Sequence, residues 1–131
     1  MKNDIIDRND VNLLVTTFYD KVKLDPEIGP FFHKSIENWE VHIEKITNFW
    51  ESSLFMVSTY SGNPGRAHIK VDEENGEVID EKSFGVWLNL WVQTINELFE
   101  GELAELAKHH ARKMATHLHL KIFTARKSSD I

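Results

Sequence analysis

Apolar positions along the chain recur mostly at helical spacing, in four long stretches. In Asp10–Leu24, Val11, Leu14, Val15, Phe18, Tyr19 and Val22 share one face. In Asn38–Val57 the apolar face runs through Trp39, Ile43, Ile46, Phe49, Trp50, Leu54 and Val57, with Glu40, Glu44, Lys45, Asn48, Glu51 and Ser52 opposite. Phe84, Trp87, Leu88, Trp91, Ile95, Leu98 and Phe99 form a broad face in Glu81–Glu100. Gly101 sets off a fourth helix, Glu102–Phe123, whose expected inner face is Leu103, Leu106, Ala107, His110, Met114, Leu118 and Lys121. The pattern predicts an all-α domain of mainly four packed helices. Asp10 is placed to cap the first helix. Asp25–Pro26 ends it, because proline disfavours helical geometry in the residue before it. Glu27–Phe32, EIGPFF, reads as a tight corner carrying two phenylalanines, either core plugs or a wall for a flat ligand.

Between the second and third helices the periodicity breaks. Tyr60–Val71, YSGNPGRAHIKV, holds Gly62, Pro64 and Gly65 and then His68 between Ala67 and Ile69. A histidine leaving a turn with apolar neighbours points toward whatever the flanking helices enclose. Asp72–Asp80, DEENGEVID, is acidic and non-periodic and reads as a solvated loop. Residues 128–131 read as a loose polar tail.

A length of 131 residues suits one domain spanning 1–131. Four Trp and eight Phe make its core or a pocket aromatic. The net charge of −6 opposes binding to phosphate backbones, so no nucleic-acid partner is expected. The absence of cysteine removes disulfides, thiolate metal sites and a cysteine nucleophile, and is compatible with a reducing cytoplasm. The first ten residues contain no apolar signal region. No apolar run approaches the ~18 residues of a membrane span. A cytoplasmic protein with no membrane association is expected.

The familiar chemical motifs are missing. No phosphate-binding glycine loop, nucleophile elbow, H-E-x-x-H or E-x-x-H occurs. His109, His110, His117 and His119 suggest zinc, but His110 and His117 lie ~10 Å apart along one helix, too far to share an ion. Four polar groups nevertheless sit on apolar faces or point inward: Tyr19, His42, His68 and Trp87. Each has a plain structural reading, such as a tyrosine bonded to a backbone carbonyl or a satisfied core histidine. Together they exceed what a plain core needs, since each must be paired when buried. A flat apolar cofactor with a central metal would account for all four.

The same residues resemble the truncated hemoglobins, and within them the third group. The likeness rests on FYDKV with Tyr19, the DPEIGPFF corner, WEVHIEKITNFW with His42 and Trp50, YSGNPGRAH ending in His68, FGVWLNLW with Trp87, and ELFEGELAELAKHHARKMA. It implies a truncated globin fold, two helices over two, enclosing heme b. His68 then corresponds to the proximal iron ligand, with Tyr19, His42 and Trp87 in the distal pocket. Phe31, Phe32, Ile46 and Trp50 would pack on the heme, and Arg66 and Lys45 would meet its propionates. The acidic loop after His68 is longer than the family pattern.

Further expectations follow from that resemblance. The ligands would be O2, NO and CO at a five-coordinate ferrous iron. Donors at Tyr19 or Trp87 would slow O2 release, which suits NO detoxification, aided by a reductase, better than bulk oxygen transport. A monomer or weak dimer is expected. The alternatives are a peroxidase-like enzyme, with His42 as its acid–base group, and a cofactor-free helical interaction domain, which would be colourless.

Overall fold

A computed structural model describes residues 2–56 and 81–129, with side chains for 2–56 and 82–117. Among these residues five helices are formed: α1 (Arg8–Leu24), α2 (Gly29–Ser35), α3 (Trp39–Phe55), α4 (Glu81–Leu98) and α5 (Glu102–Ser129). No strand occurs among them. The chain is all-α, as its periodicity indicates. Helix α1 packs on α2, α3 and α4, while α5 packs on α3 and α4, so two helix pairs, α1 with α3 and α4 with α5, are laid against each other.

Helix α1 begins earlier than expected, and its cap is Asp7. Asp7 is extended, and its carboxylate accepts from the Asp10 backbone N–H at 3.1 Å. Asp10 in turn accepts from the Ile6 N–H at 2.9 Å. This D-x-x-D exchange differs from a capping box in that Asp10 reaches the N–H of Ile6, one residue before the cap. After α1, Asp25 accepts from the N–H groups of Glu27 and Ile28. The expected tight corner then continues as the seven-residue helix α2, with Pro30 in its first turn, where a missing N–H costs no helix bond. Gly29 lets the chain turn here. A Cβ at that position would meet the Val22 carbonyl oxygen at 2.9 Å.

Asn38 caps α3 by accepting from the Val41 N–H. The helix ends at Phe55, because Met56 adopts a left-handed conformation (φ 57°). Helix α5 runs to Ser129, so residues 128 and 129 are helical where a tail was expected. Its final segment, ARKSS, contains no Gly or Pro to stop it.

The core centres on two indoles. Trp50 of α3 and Trp91 of α4 stack at 4.6 Å, and Phe18 of α1 meets Trp91 edge-on at 5.1 Å. The Trp91 N–H donates to the Ala107 carbonyl at 3.3 Å, which satisfies the buried polar edge. The inner face of α5 differs from the expected set. Among the described side chains its buried residues are Ala104, Ala107, Ala111 and Ala115, while Leu103, Leu106 and Met114 pack at the margin; Leu118 and Lys121 lie outside the described side chains. Small residues at that seam let α5 approach the indoles closely. Thr47 and Thr94 are buried because each hydroxyl donates to the carbonyl four residues earlier.

Candidate functional site

Tyr19 and His42 are brought together by the α1–α3 packing. Tyr19 lies mid-helix on the buried face of α1 and is 4% exposed. His42 lies one turn into α3 and is partly buried. The Tyr19 hydroxyl and His42 Nε2 are 3.0 Å apart, at hydrogen-bond distance. Their rings meet edge-on, with centres 5.1 Å apart. Burial pushes the Tyr19 phenol well above its ordinary value, because a phenolate there would lose its solvation. Tyr19 therefore keeps its O–H proton at neutral pH. If Nε2 carries the imidazole proton it donates to the Tyr19 oxygen, and the Tyr19 proton is left to face a third group.

The surroundings are aromatic. Phe32 of α2 meets Tyr19 at 5.9 Å, and Trp39 of α3 meets it at 5.8 Å. Phe18, beside Tyr19, contacts Trp87 of α4 edge-on at 5.9 Å. Trp87 is partly buried and belongs with Phe31 and Met114 to a patch around Phe84 and Ala115. Trp87 thus reaches the Tyr19 neighbourhood through Phe18.

Ile46 lies one turn after His42 and packs at the core margin. Trp50 sits deeper, 2% exposed, in the stack with Trp91. Lys45 is exposed on α3. His68 and Arg66 lie outside the described residues. His110 does not join this group; its Nδ1 is 2.8 Å from the Ser53 hydroxyl, between α3 and α5. Trp39, on the expected apolar face of α3, meets both Tyr19 and His42, and Lys23 and His33, which the pattern did not single out, contact Trp39. Lys23 follows Tyr19 by four residues and Trp39 precedes His42 by three, which places each pair on one helix face but does not bring the helices together.

A groove of about 650 Å³ lies elsewhere, lined by Lys2 and the α4 residues Asn89, Val92, Gln93, Asn96 and Glu97. None of the residues discussed above lines it.

The Tyr19 region has the chemistry of a site for a flat apolar group. Phe31, Phe32, Ile46, Trp87 and Met114 come from four helices, and each stays only partly buried against the core. Large apolar side chains left half-covered mark a place where something else packs. The Tyr19–His42 pair adds polar groups to that apolar margin. These residues fit a heme.

Comparisons with known proteins agree. No family model matches the chain. It is 29% identical over 121 residues to the group 3 truncated hemoglobin ctb of Campylobacter jejuni, covering 89% of this chain and 91% of that protein. The crystal structure of a group III truncated hemoglobin from Campylobacter jejuni superposes with a TM-score of 0.82 at 27% identity, covering 93% of this chain and 95% of the other. The chain is similar, over about nine tenths of its length, to truncated hemoglobins of the third group. Globin relatives of this kind imply a heme cofactor. The two helix pairs described above are the two-over-two arrangement of truncated hemoglobins. Among the described residues, no helix is long and apolar enough to cross a membrane.

Proposed function

We propose that this chain is a group III truncated hemoglobin that binds heme b, with His68 as the proximal ligand and Tyr19, His42 and Trp87 on the distal side, and that it works in NO and O2 chemistry. When bound, heme supplies the iron at which a diatomic gas is held. Phe31, Phe32 and Ile46 would pack on the macrocycle, with Trp50 supporting them from the core, and Lys45 and Arg66 would meet its propionates.

The observation that carries the reading is the part-buried Tyr19–His42 hydrogen bond at 3.0 Å. With the His42 Nε2 proton directed at the Tyr19 oxygen, the Tyr19 hydroxyl donates to the negative end of a polar ligand. Trp87 offers a second N–H from α4. Hydrogen bonds to charged partners contribute about 1.5–3 kcal/mol, or roughly ten- to a hundredfold in dissociation. O2 release is therefore slow, which suits reaction better than transport. The reaction that fits is conversion of NO and O2 to nitrate, balanced by one electron from a reductase.

The test is an absorption spectrum before and after dithionite, with His68→Ala as the control, followed by O2 release from Tyr19→Phe. A Soret band altered or lost in His68→Ala, and release roughly ten- to a hundredfold faster in Tyr19→Phe, are expected. A colourless protein that also refuses hemin overturns the heme assignment. Unchanged O2 release removes Tyr19 from the distal role.

A further inference from the structure

Residues beyond α1 and α3's own pairing hold the Tyr19–His42 couple. Trp39 opens α3, and its indole lies edge-on to both partners, with ring centres 5.8 Å from Tyr19 and 6.1 Å from His42. His42 follows Trp39 by three residues, so the two side chains share one face of the helix. Trp39 is pinned from the other side as well. Lys23 Nζ lies 4.5 Å from the centre of the indole, within cation–π reach. The His33 ring meets Trp39 at 5.7 Å, and His33 Nε2–H donates to the Lys23 carbonyl at 3.0 Å. The clamp draws on three helices: Lys23 from the last turn of α1, His33 from α2, and Trp39 from the first turn of α3.

The placement matters because His42 is only partly buried. A half-exposed imidazole has several rotamers open to it, and water competes for its hydrogen bonds. The Trp39 ring occupies space between the buried Tyr19 and the Lys23 ammonium at the surface. The indole thus takes up space directly beside the His42 ring. The aromatic edge contacts add geometric preference to an otherwise ordinary packing contact.

We propose that Trp39, clamped by Lys23 and His33, is a positioning residue that keeps the His42 ring on the Tyr19 hydroxyl and closes this corner of the pocket to water. Its consequence for gas binding rests on the distal role given above to Tyr19 and His42. Its structural content does not, so the two can fail separately.

The experiment compares Trp39→Leu, Trp39→Phe and Lys23→Met in the full chain. The first readout is NMR of the His42 ring nitrogens and of solvent exchange at the Tyr19 hydroxyl, which needs no heme. Trp39→Leu should give the His42 ring a second exchanging environment and speed Tyr19 hydroxyl exchange by roughly two- to tenfold, the size expected for lost aromatic contacts. Trp39→Phe should restore most of the wild-type behaviour, and Lys23→Met should lie between.

The second readout is CO binding to the heme-loaded protein. Association should quicken by a similar factor in Trp39→Leu, with dissociation changed less. A single His42 environment with unchanged Tyr19 exchange overturns the proposal. A chain that takes up no heme overturns the functional reading while the first readout still decides Trp39. Should the Leu variant fail to fold, Lys23→Met, which keeps the indole and most of the lysine stem, must still loosen His42, and an unchanged ring there overturns the clamp.

Discussion

Tyr19 carries a proton in the native state at pH values where an unfolded tyrosine, with its ordinary value of 10.0, has lost it. Its folded-state value is raised, so the stability it contributes is whole below about pH 10 and is lost as pH rises beyond that. Wild-type stability should therefore fall more steeply above pH 10 than that of Tyr19→Phe, read as urea midpoints across the alkaline range. Near neutrality the same substitution should cost about 1 kcal/mol for the lost hydrogen bond. That Tyr19 points inward and that His42 lies on an apolar stripe were both legible in the sequence, since helical spacing places a side chain on a face. That the hydroxyl meets an imidazole, and not the backbone carbonyl of the plainer reading, was not legible. Pairing across helices depends on the axial offset of α1 against α3, which the spacing within either helix does not contain. The same blindness hid the clamp of Lys23, His33 and Trp39.

At the scale of elements, the long-range caps decide how the helices are joined. Asp4 accepts from the N–H groups of Leu103 and Ala104, both at 2.9 Å, and so caps α5 from almost a hundred residues away. Burial alone would raise the Asp4 carboxyl, but the backbone donors of Leu103, Ala104, Ile5 and Glu102 outweigh it and hold the group below its ordinary value. Support from Asp4 is present above that ordinary value of 3.8 and is lost as pH falls through the lower native one. Asp4→Ala should cost about 1–2 kcal/mol at neutral pH in chemical denaturation, the usual cost of losing a cap.

Gly101 makes the cap possible. Its φ is +149°, and a Cβ there would strike the Asp4 side chain at 2.4 Å. Gly101→Ala should therefore destabilise the protein at least as much as Asp4→Ala, and the two losses should not add, because each removes the same contact.

His110 ties α5 to α3 through Ser53. Burial, then the charges of His109 and Lys113, holds it below its ordinary value of 6.5. The unfolded chain takes up that proton first, so stability from His110 is present above pH 6.5 and lost below it. Replacing His110 by Gln should flatten the fall in stability between pH 7 and pH 5, measured as midpoints in urea. The four long helices were legible from their periodicity. Their ends and joints were not, because Asp4 and Gly101 act through a tertiary contact.

For the whole molecule, helices α1, α3, α4 and α5 already meet in one buried cluster around Trp50 and Trp91. Loss of His68 should then leave the helical far-UV spectrum in place while removing the response to heme. In the wild type, hemin at a hundredfold excess over its dissociation constant should add about 2.7 kcal/mol, a rise in Tm on the order of 10 °C. His68→Ala should lose most of that rise; a full rise in the variant would show that another residue holds the cofactor.

The sequence by itself determined the helical class, the aromatic character of the interior and the residues that face it, because side-chain periodicity and composition are local properties. It also contained the motifs that point to the family. Only the tertiary structure decided that Tyr19 meets His42, that Trp50 lies in the central stack, that an alanine seam seats α5, and that Asp4 closes one of its ends. Each of these depends on how two helices are offset and how closely they approach, and that is set by packing the whole core at once.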